Sequence, residues 1–348
     1  MFMRSPLVIT ITIFFALSCF DCFPSDEKRI VINVDHFGAR GDGRTDDSKA
    51  FSRAWEKFCE TEKGELLIPP TKTYLLKPVS LDGPCKPNLK MKISGTIKAS
   101  PNKRDYDATG RLNWMLLRYL DYFNVDGDGN KGTIDGSGEN WWKDSCNFKE
   151  TPTCDKGLVP FSVMFENCTN LKVENLLFKN AQKMHLTFNV TRNVEASHIN
   201  IQAPQKSPNT DGIHVSRSYN VTITNSNIAT GDDCISIVNK TTRVRVLDTQ
   251  CGPGHGISIG SLGRLGNTVV EHVSDVVVKR VKFIGTTNGV RIKTWQVLVV
   301  PGSDVAECDA NLDEGGPQPQ MHFWTYLDDL DTDFGTGLDW LSLCLTGI

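Results

Sequence analysis

The chain lacks a strong overall charge, and one part of it lacks basic residues altogether. Its 348 residues carry 38 lysines and arginines against 41 aspartates and glutamates, a net charge of −3. Residues 296–348 hold ten of the acidic residues and none of the basic ones, which leaves 38 basic against 31 acidic residues, or +7, in residues 1–295. The overall balance does not indicate a nucleic-acid-binding protein, whereas a mildly basic body favours polyanionic ligands.

Long apolar runs are missing beyond the N-terminus. The apolar stretch of residues 7–17 follows Arg4 and precedes a short polar region. It is too short for a membrane span and is typical of a cleaved secretory signal. We therefore expect residues 1–25 to be a signal peptide and the exported remainder to have no membrane contact.

Cysteines and glycosylation sequons fit this expectation. The sequence has eleven cysteines, a number that suits an oxidising compartment. Spacing makes several bridges plausible without fixing the pairing, namely Cys146 with Cys154, Cys59 with Cys85, and Cys234 with Cys251. Four sequons would accept glycans if they are exposed; they begin at Asn167, Asn189, Asn220 and Asn239.

A weak repeat runs through the second half of the chain. Five short apolar segments align on Leu171, Val194, Val221, Val244 and Val276, at steps of 23, 27, 23 and 32 residues. Short alternating strands at this period, without helices between them, predict the coils of a parallel β-helix. A β-sandwich is the alternative, but its turn signals should come about every 8–12 residues. Asparagine, threonine and serine at repeated positions are expected to form ladders inside the coils.

One amphipathic helix is predicted near the start of this β-rich chain. Between Ser48 and Cys59 the apolar residues fall at helical spacing, and Asp46 or Asp47 is placed to cap the helix. A solenoid needs such an element to close its apolar end. The sequence therefore predicts an all-β, single-domain solenoid over residues 26–295 with a short N-terminal capping helix.

Four polar segments recur at about the length of one coil. They contain Asp211, the pair Asp232 and Asp233, then His255, and finally Arg291 with Lys293, at steps of 21, 22 and 36 residues. Adjacent coils place equivalent residues about 4.8 Å apart, so these segments should stack into one patch.

The three aspartates supply the carboxyl groups that glycosidic bond hydrolysis requires. Like charges on Asp211 and one of the adjacent pair would raise one pKa, which gives a protonated acid beside an ionised base. On a regular strand Asp232 and Asp233 would face opposite sides, so the backbone must turn or bulge there. Gly231 could supply that freedom.

The remaining polar residues of the patch suit an acidic sugar. His255 lies between Gly254 and Gly256, whose small size would leave room for a substrate ring. Arg291 and Lys293 would share one strand face and present two cations to a carboxylate. Each of these features taken singly would also fit a structural histidine or a solvated strand edge.

Metal binding is the competing use of clustered aspartates. The sequence has no second histidine at zinc spacing and no EF-hand pattern. Calcium stays open as an alternative, because a β-helical lyase would combine calcium-binding acids with an arginine or lysine base. We expect no metal and no cofactor.

Together the four segments resemble those of the polygalacturonases of glycoside hydrolase family 28, particularly the plant branch. The resemblance covers about residues 30–295 and implies a right-handed parallel β-helix that cleaves α-1,4 bonds between galacturonate units of pectin with inversion. It implies that Asp232 is the general acid and that Asp211 and Asp233 activate the water. His255 would support the acid or position substrate, and the substrate-binding residues would be Arg291, Lys293 and Asn209.

The same resemblance implies a secreted monomer of the plant cell wall, with pectin as its partner and an endo mode of cleavage slightly favoured. The resemblance ends at about residue 295. Relatives continue there with further coils and a substrate-site tyrosine, whereas this chain continues with residues 296–348. Tyr326 is the only tyrosine in this segment and has no matching motif. We expect this acidic tail to be atypical and poorly ordered, and to derive from a shifted reading frame or a retained intron. The alternative function is a non-catalytic relative that at most binds pectin.

Overall fold

The computed structural model describes residues 29–109, 112–145, 158–263 and 271–294. These residues form two α-helices, α1 (Ser48–Cys59) and α2 (Glu139–Trp142), and two 3-10 helices, Val34–Phe37 and Lys103–Thr109. They also form the strands β1 (Ile30–Asn33), β2 (Asp42–Asp46), β3 (Gly64–Ile68), β4 (Thr73–Leu76), β5 (Val79–Asp82), β6 (Leu89–Ile93), β7 (Thr96–Ala99), β8 (Asn113–Arg118), β9 (Asp121–Asp126), β10 (Thr133–Asp135), β11 (Phe161–Glu166), β12 (Thr169–Glu174), β13 (Leu177–Lys179), β14 (Leu186–Asn189), β15 (Arg192–Ser197), β16 (Asn200–Gln202), β17 (Ile213–Ser216), β18 (Tyr219–Thr224), β19 (Asn227–Ala229), β20 (Ile235–Ile237), β21 (Thr241–Cys251), β22 (Ile257–Leu262), β23 (Val273–Phe283) and β24 (Val290–Thr294). The expected signal peptide, the Cys146–Cys154 bridge and the tail of residues 296–348 lie outside the described residues.

The strands wind into a parallel β-helix with three faces. One face is an eight-stranded sheet in the order β24-β22-β20-β17-β14-β11-β8-β5. The other sixteen strands form two faces that share β21, because the first part of this long strand pairs with β18 and its end pairs with β19. The equally long β23 pairs with β21 over both parts. Successive coils thus stack strands in parallel on three faces, which confirms the predicted solenoid and rules out the β-sandwich.

The register of the coils follows the repeat in the sequence. Leu171 pairs with Val194, Val194 with Val221, Val221 with Val244, and Val244 with Val276. All five side chains are buried in the single apolar core that runs along the solenoid. The alignment made on these residues is therefore confirmed at each step.

Polar ladders occur both inside the coils and at their surface. The predicted internal kind is represented by Thr191 and Ser218, whose buried hydroxyls lie 3.0 Å apart. An asparagine ladder, in contrast, lies at the surface, at the starts of β12, β15 and β18: the amide of Asn193 donates to Asn170 and that of Asn220 donates to Asn193, each at 2.9 Å. These three residues have φ between 52° and 59°, a left-handed conformation that asparagine tolerates well.

Helix α1 closes the N-terminal end of the solenoid, as predicted. It buries Ala50, Phe51, Ala54, Trp55 and Phe58, and the indole of Trp55 donates a 3.0 Å hydrogen bond to the carbonyl of Asp82. The carboxylate of Asp46 accepts the N–H of Ser48 at 3.0 Å. Asp47 occupies the N-cap position, but its carboxylate accepts from Arg40 and Gly41 instead of from the helix.

Two of the candidate disulfides form. Cys59 is bonded to Cys85, and Cys234 to Cys251, while Cys168 is a buried free thiol. The second bridge begins at Cys234, immediately after the aspartate pair at 232–233, and both of its cysteines are buried, so it anchors that segment to the core. None of the helices in the described residues is long and apolar enough to cross a membrane.

Candidate active site

The four polar segments meet along one edge of the eight-stranded sheet. Asp211 precedes β17, the aspartate pair precedes β20, and His255 precedes β22, while the two basic residues lie within β24. These strands are in register, since Ile213 pairs with Ile235, Ile235 with Ile257 and Ile257 with Val290. Residues that are up to 82 positions apart in sequence are thereby brought onto four successive coils.

The backbone turns at Asp232 and Asp233, as the sequence required. The carboxylate of Asp232 accepts the N–H of Asp233 at 2.8 Å, and its carbonyl accepts the N–H of His255 at 2.8 Å. Gly231 is needed here for a different reason from the one expected. A Cβ at this position would lie 2.1 Å from the carbonyl oxygen of Ser207, so only glycine permits the two coils to approach this closely.

Asp233 is the buried anion of the site. Its side chain is 2 % exposed and accepts three hydrogen bonds of 2.7 Å, from the hydroxyl of Ser258, the guanidinium of Arg291 and the ammonium of Lys293. Burial acts to raise the pKa of Asp233, but the bonds from Lys293, Ser258 and Arg291 outweigh it and hold the pKa below its usual value. Asp233 is therefore ionised throughout the physiological range.

Asp211 has the opposite electrostatic environment. The residue is 6 % exposed. Burial, followed by repulsion from Asp232 and Asp233, raises the pKa of Asp211 to about 7. Its carbonyl oxygen accepts two hydrogen bonds from His185, one from the backbone N–H at 2.9 Å and one from ring Nδ1 at 3.0 Å. The carboxylate cluster thus retains a proton near neutral pH.

Asp232 is the most accessible of the three aspartates. Its side chain is 18 % exposed, and its two oxygens contact Nδ1 of His255 at 3.1 Å and the amide of Asn209 at 3.3 Å. These two partners orient the carboxyl group while leaving part of it open to a ligand. A reacting oxygen atom outside the protein can reach Asp232 more readily than the buried aspartates beside it.

The glycines that flank His255 allow close backbone packing. Gly254 and Gly256 have φ of 139° and 81°. A Cβ on Gly254 would lie 2.5 Å from the carbonyl oxygen of Asp232, and one on Gly256 would lie 2.2 Å from that of Asn288. These contacts are enough to require glycine at both positions, and room for a sugar ring beside His255 stays a prediction.

Arg291 and Lys293 share one strand face, as predicted, but both already bind Asp233. Their side chains are 28 % and 32 % exposed, so each cation contacts the buried carboxylate and also reaches the surface of the site. Arg291 additionally donates from Nε to Ser258 at 2.7 Å. The basic pair therefore stabilises the ionised form of Asp233 before any ligand arrives.

Four residues of the site, Ser236, Ser258, His214 and His185, are not predicted from the sequence. Ser236, Ser258 and His214 occupy the same register column as Arg291, and Nδ1 of His214 lies 2.7 Å from the hydroxyl of Ser236. Burial lowers the pKa of His214 to about 4, with a smaller effect from Lys183, so this ring is neutral. The ring of His185 contacts the main-chain carbonyl of Asp211. The signal that could have revealed the column is a polar residue between two β-branched ones, repeated on each coil.

Three groups of the site have a spacing that a metal ion could use. One carboxylate oxygen each of Asp232 and Asp233 and a ring nitrogen of His255 lie within 4.8 Å of one another. Both oxygens of Asp233, however, already accept hydrogen bonds from cationic side chains at 2.7 Å. A divalent cation would be repelled by these charges, so the donor set fits a protonated acid beside an anion better than it fits a metal.

Comparisons with known proteins identify the family of the chain. The sequence model of the family described as Glycosyl hydrolases family 28 matches residues 59–313. The chain is 46% identical over 265 residues to a polygalacturonase of Malus domestica and 46% identical over 267 residues to polygalacturonase-2 of Solanum lycopersicum. Each alignment covers 76% of this chain and 56% of the relative, so the chain spans just over half the length of these proteins.

A solved structure shows the same fold. The endo-xylogalacturonan hydrolase of Aspergillus tubingensis superposes with a TM-score of 0.65 at 26% identity, over 76% of this chain and 68% of that one. The family match covers most of the chain and includes every residue of the site described above. On the evidence of its sequence, its coils and its site, the chain belongs to glycosyl hydrolases family 28.

Proposed function

We propose that this chain hydrolyses α-1,4-galacturonosyl linkages in pectin and polygalacturonate. The observation that carries the proposal is the contrast between two neighbouring carboxyl groups. Asp211 keeps a proton near pH 7, while Asp233 is held ionised by Arg291 and Lys293. Glycoside hydrolysis needs a proton to donate and an ionised carboxylate beside it, and the cluster of three aspartates holds both. The similarity to plant polygalacturonases supports the choice of substrate.

Asp232 acts as the general acid in this proposal. It is the aspartate that a glycosidic oxygen can reach, and His255 and Asn209 fix its orientation. Its two carboxyl neighbours supply the repulsion that favours a shared proton in the cluster. Protonation of the leaving oxygen by Asp232 would then be followed by reprotonation from solvent after the product has left.

Asp211 and Asp233 activate the attacking water. Asp233 carries the permanent negative charge needed to orient a water molecule. When the proton of the cluster lies on Asp232, Asp211 is ionised and can accept the proton of the water as the bond forms. We propose inversion at the anomeric carbon. One carboxylate oxygen of Asp232 lies within 4.8 Å of one of Asp233. This is closer than the roughly 6.5–9.5 Å usual between the carboxyl groups of inverting enzymes. The anomeric outcome is therefore the sharpest test of this part.

Arg291, Lys293 and Asn209 bind the acidic sugar. The partly exposed guanidinium and ammonium groups favour a galacturonate carboxylate over a neutral sugar, since charge-assisted hydrogen bonds are the stronger kind. His255 serves the acid through its 3.1 Å contact with Asp232. We further propose that the chain works as a secreted monomer in the plant cell wall, with an endo mode slightly favoured and without nucleic-acid partners.

The test is release of reducing sugars from polygalacturonate by the full chain. The Asp232→Asn variant should lose at least about a hundredfold in kcat, the effect expected when a general acid is removed. Asp248→Asn is the matched control, because Asp248 is an exposed partner of Arg280 on another face. Equal rates for Asp232→Asn and the unmodified chain would refute the assignment of the acid. No release by any of the proteins would favour a non-catalytic relative that at most binds pectin.

A further inference from the structure

The four glycosylation sequons lie along one edge of the β-helix, on four successive coils. This sequon edge consists of the turns that lead from the eight-stranded sheet to the next face and the first residues of the strands that follow them. Asn167 follows β11, Asn189 ends β14, Asn220 lies at the start of β18, and Asn239 lies between β20 and β21. The four positions lie along one edge, yet their side chains have different environments.

The side chain of Asn189 is buried and hydrogen-bonded to neighbouring coils. The residue is 7 % exposed, its amide donates to Glu166 at 2.8 Å, and its carbonyl oxygen accepts from Arg217 at 3.2 Å. A glycan on this amide would need space that the neighbouring coils fill, and it would displace the bond to Glu166. Glycan-bearing asparagines lie on surfaces, so this sequon does not fit an attached sugar.

The amides of Asn220 and Asn239 are also engaged. Asn220 donates to Asn193 at 2.9 Å as part of the asparagine ladder. Asn239 donates to Glu271 at 3.4 Å and accepts the N–H of His272 at 3.1 Å. Both residues are half-buried. A sugar on either one would compete with contacts between coils.

Asn167 differs from the other three. It is exposed, and its side chain makes no hydrogen bond to any residue that the structure describes. Its backbone N–H donates to the carbonyl of Asn189 at 3.1 Å, and its φ is 52°. The main chain at this turn is therefore fixed by the neighbouring coil, while the side-chain amide is available at the surface.

Exposed apolar residues flank Asn167 on both sides. Tyr119 and Val190 occupy the same left-handed turn position on the coils before and after it, with φ of 58° and 55°. Tyr119 is 52 % exposed and Val190 is 39 % exposed. A glycan that starts between them could cover both side chains and remove apolar area from water.

We infer that Asn167 carries an N-linked glycan and that Asn189 does not. In the transfer, Nδ2 of Asn167 bonds to C1 of an oligosaccharide, the bond from C1 to the diphosphate oxygen of a lipid carrier breaks, the lipid diphosphate leaves and the amide gives up one proton. The transferase that catalyses this step and its lipid-linked donor both belong to the secretory pathway. The inference goes beyond the proposed hydrolase activity, which does not depend on it.

The glycan would leave the candidate active site open. Asn167 follows a strand of the eight-stranded sheet, whereas Asp211, the aspartate pair and His255 precede their strands in the same sheet. The two groups of residues therefore lie at opposite edges of one face. Loss of the glycan should leave kcat and KM on polygalacturonate unchanged and should increase binding of an apolar dye and aggregation.

The test maps glycan occupancy by mass spectrometry on the full chain expressed in plant cells. A peptide N-glycosidase hydrolyses the amide bond to the glycan and converts each occupied asparagine to aspartate, which marks the sites. Both the medium and the cell extract are analysed so that a retained chain also gives a result. We expect occupancy at Asn167 and none at Asn189. Two substitutions provide a matched pair: Thr169→Ala removes the sequon and should abolish the mark, while Thr169→Ser preserves the sequon and should keep it.

Three outcomes would overturn the inference. They are an unmarked Asn167, a marked Asn189, or a mark at Asn167 that survives Thr169→Ala. None of them bears on hydrolysis, because the release of reducing sugars is measured separately on the same preparations. An inactive chain that is marked at Asn167 would equally leave this inference standing while refuting the proposed function.

Discussion

The guanidinium of Arg291 donates a 2.7 Å hydrogen bond to the carboxylate of Asp233, although the two residues are 58 positions apart. The coil that contains Ser258 lies between them, and its hydroxyl contacts both side chains at 2.7 Å. Three successive coils are therefore joined by one polar network with a buried anion at its centre. This network links the stability of the solenoid to the charge state of the site.

The first prediction concerns this buried anion. Asp233→Asn removes the negative partner of Arg291 and Lys293 and should lower the free energy of unfolding by about 3 kcal/mol, the loss typical of breaking a buried ion pair. Denaturant unfolding followed by tryptophan fluorescence measures it. Asp248→Asn makes the same chemical change in an exposed pair and should cost much less. Equal losses in the two variants would contradict the central position of Asp233.

The second prediction is a pH dependence of stability that arises from Asp211. Its pKa in the folded chain is about 7, above the ordinary value of 3.8, so the folded state holds a proton that the unfolded state releases. The contribution of Asp211 to stability therefore falls as pH rises from about 4 to about 7, and it is constant above that window.

The variant Asp211→Asn cannot ionise, so it isolates this effect. Its melting temperature relative to the unmodified chain should rise steadily between pH 4 and pH 7 and then level off. Melting curves recorded across pH 4 to 8 on both proteins give the comparison. A constant difference, or one that shrinks with rising pH, would show that burial does not raise the pKa of Asp211.

The third prediction assigns a positioning role to His185. The ring is buried, donates to the carbonyl of Asp211 at 3.0 Å, and has no partner for Nε2 among the described residues. Burial lowers its pKa to about 4, so the ring acts as a neutral donor. His185→Leu should reduce kcat by about tenfold or more, since small misplacements of a catalytic group are costly, with little change in KM.

His185→Asn retains a side-chain donor and serves as the comparison. It should recover part of the lost kcat, while both variants share the cost of a smaller or differently shaped side chain in the core. The pH profile of kcat should shift in the leucine variant alone. Identical kcat values and pH profiles for the two variants would reduce His185 to a packing residue.

The fold was predictable because stacked coils require buried apolar residues at a regular spacing in the sequence. The five aligned residues from Leu171 to Val276 pair as predicted, since each begins the buried part of a strand that stacks on the last. The convergence of Asp211, Asp232 and His255 followed from the same periodicity. Cap helix α1 was visible because helical spacing interrupts a β-rich pattern.

The contacts within the site were not predictable in the same way. Ser258 reads as an ordinary strand residue, and its role depends on Arg291, which is 33 positions later. The bonds from His185 to Asp211 involve a main-chain carbonyl, which leaves no trace in residue type. The glycines around His255 permit a close approach of neighbouring backbones, which periodicity cannot reveal.

The most direct test of inverting hydrolysis at the carboxylate cluster is proton NMR of the first products from an oligogalacturonate. We predict that the new reducing end appears first as the β-anomer and that the α-anomer grows in only by mutarotation, with neither product formed by Asp232→Asn. Initial appearance of the α-anomer would contradict inversion and place a covalent intermediate on one of the aspartates. Products with an unsaturated ring would contradict hydrolysis itself and show that the basic residues act in elimination.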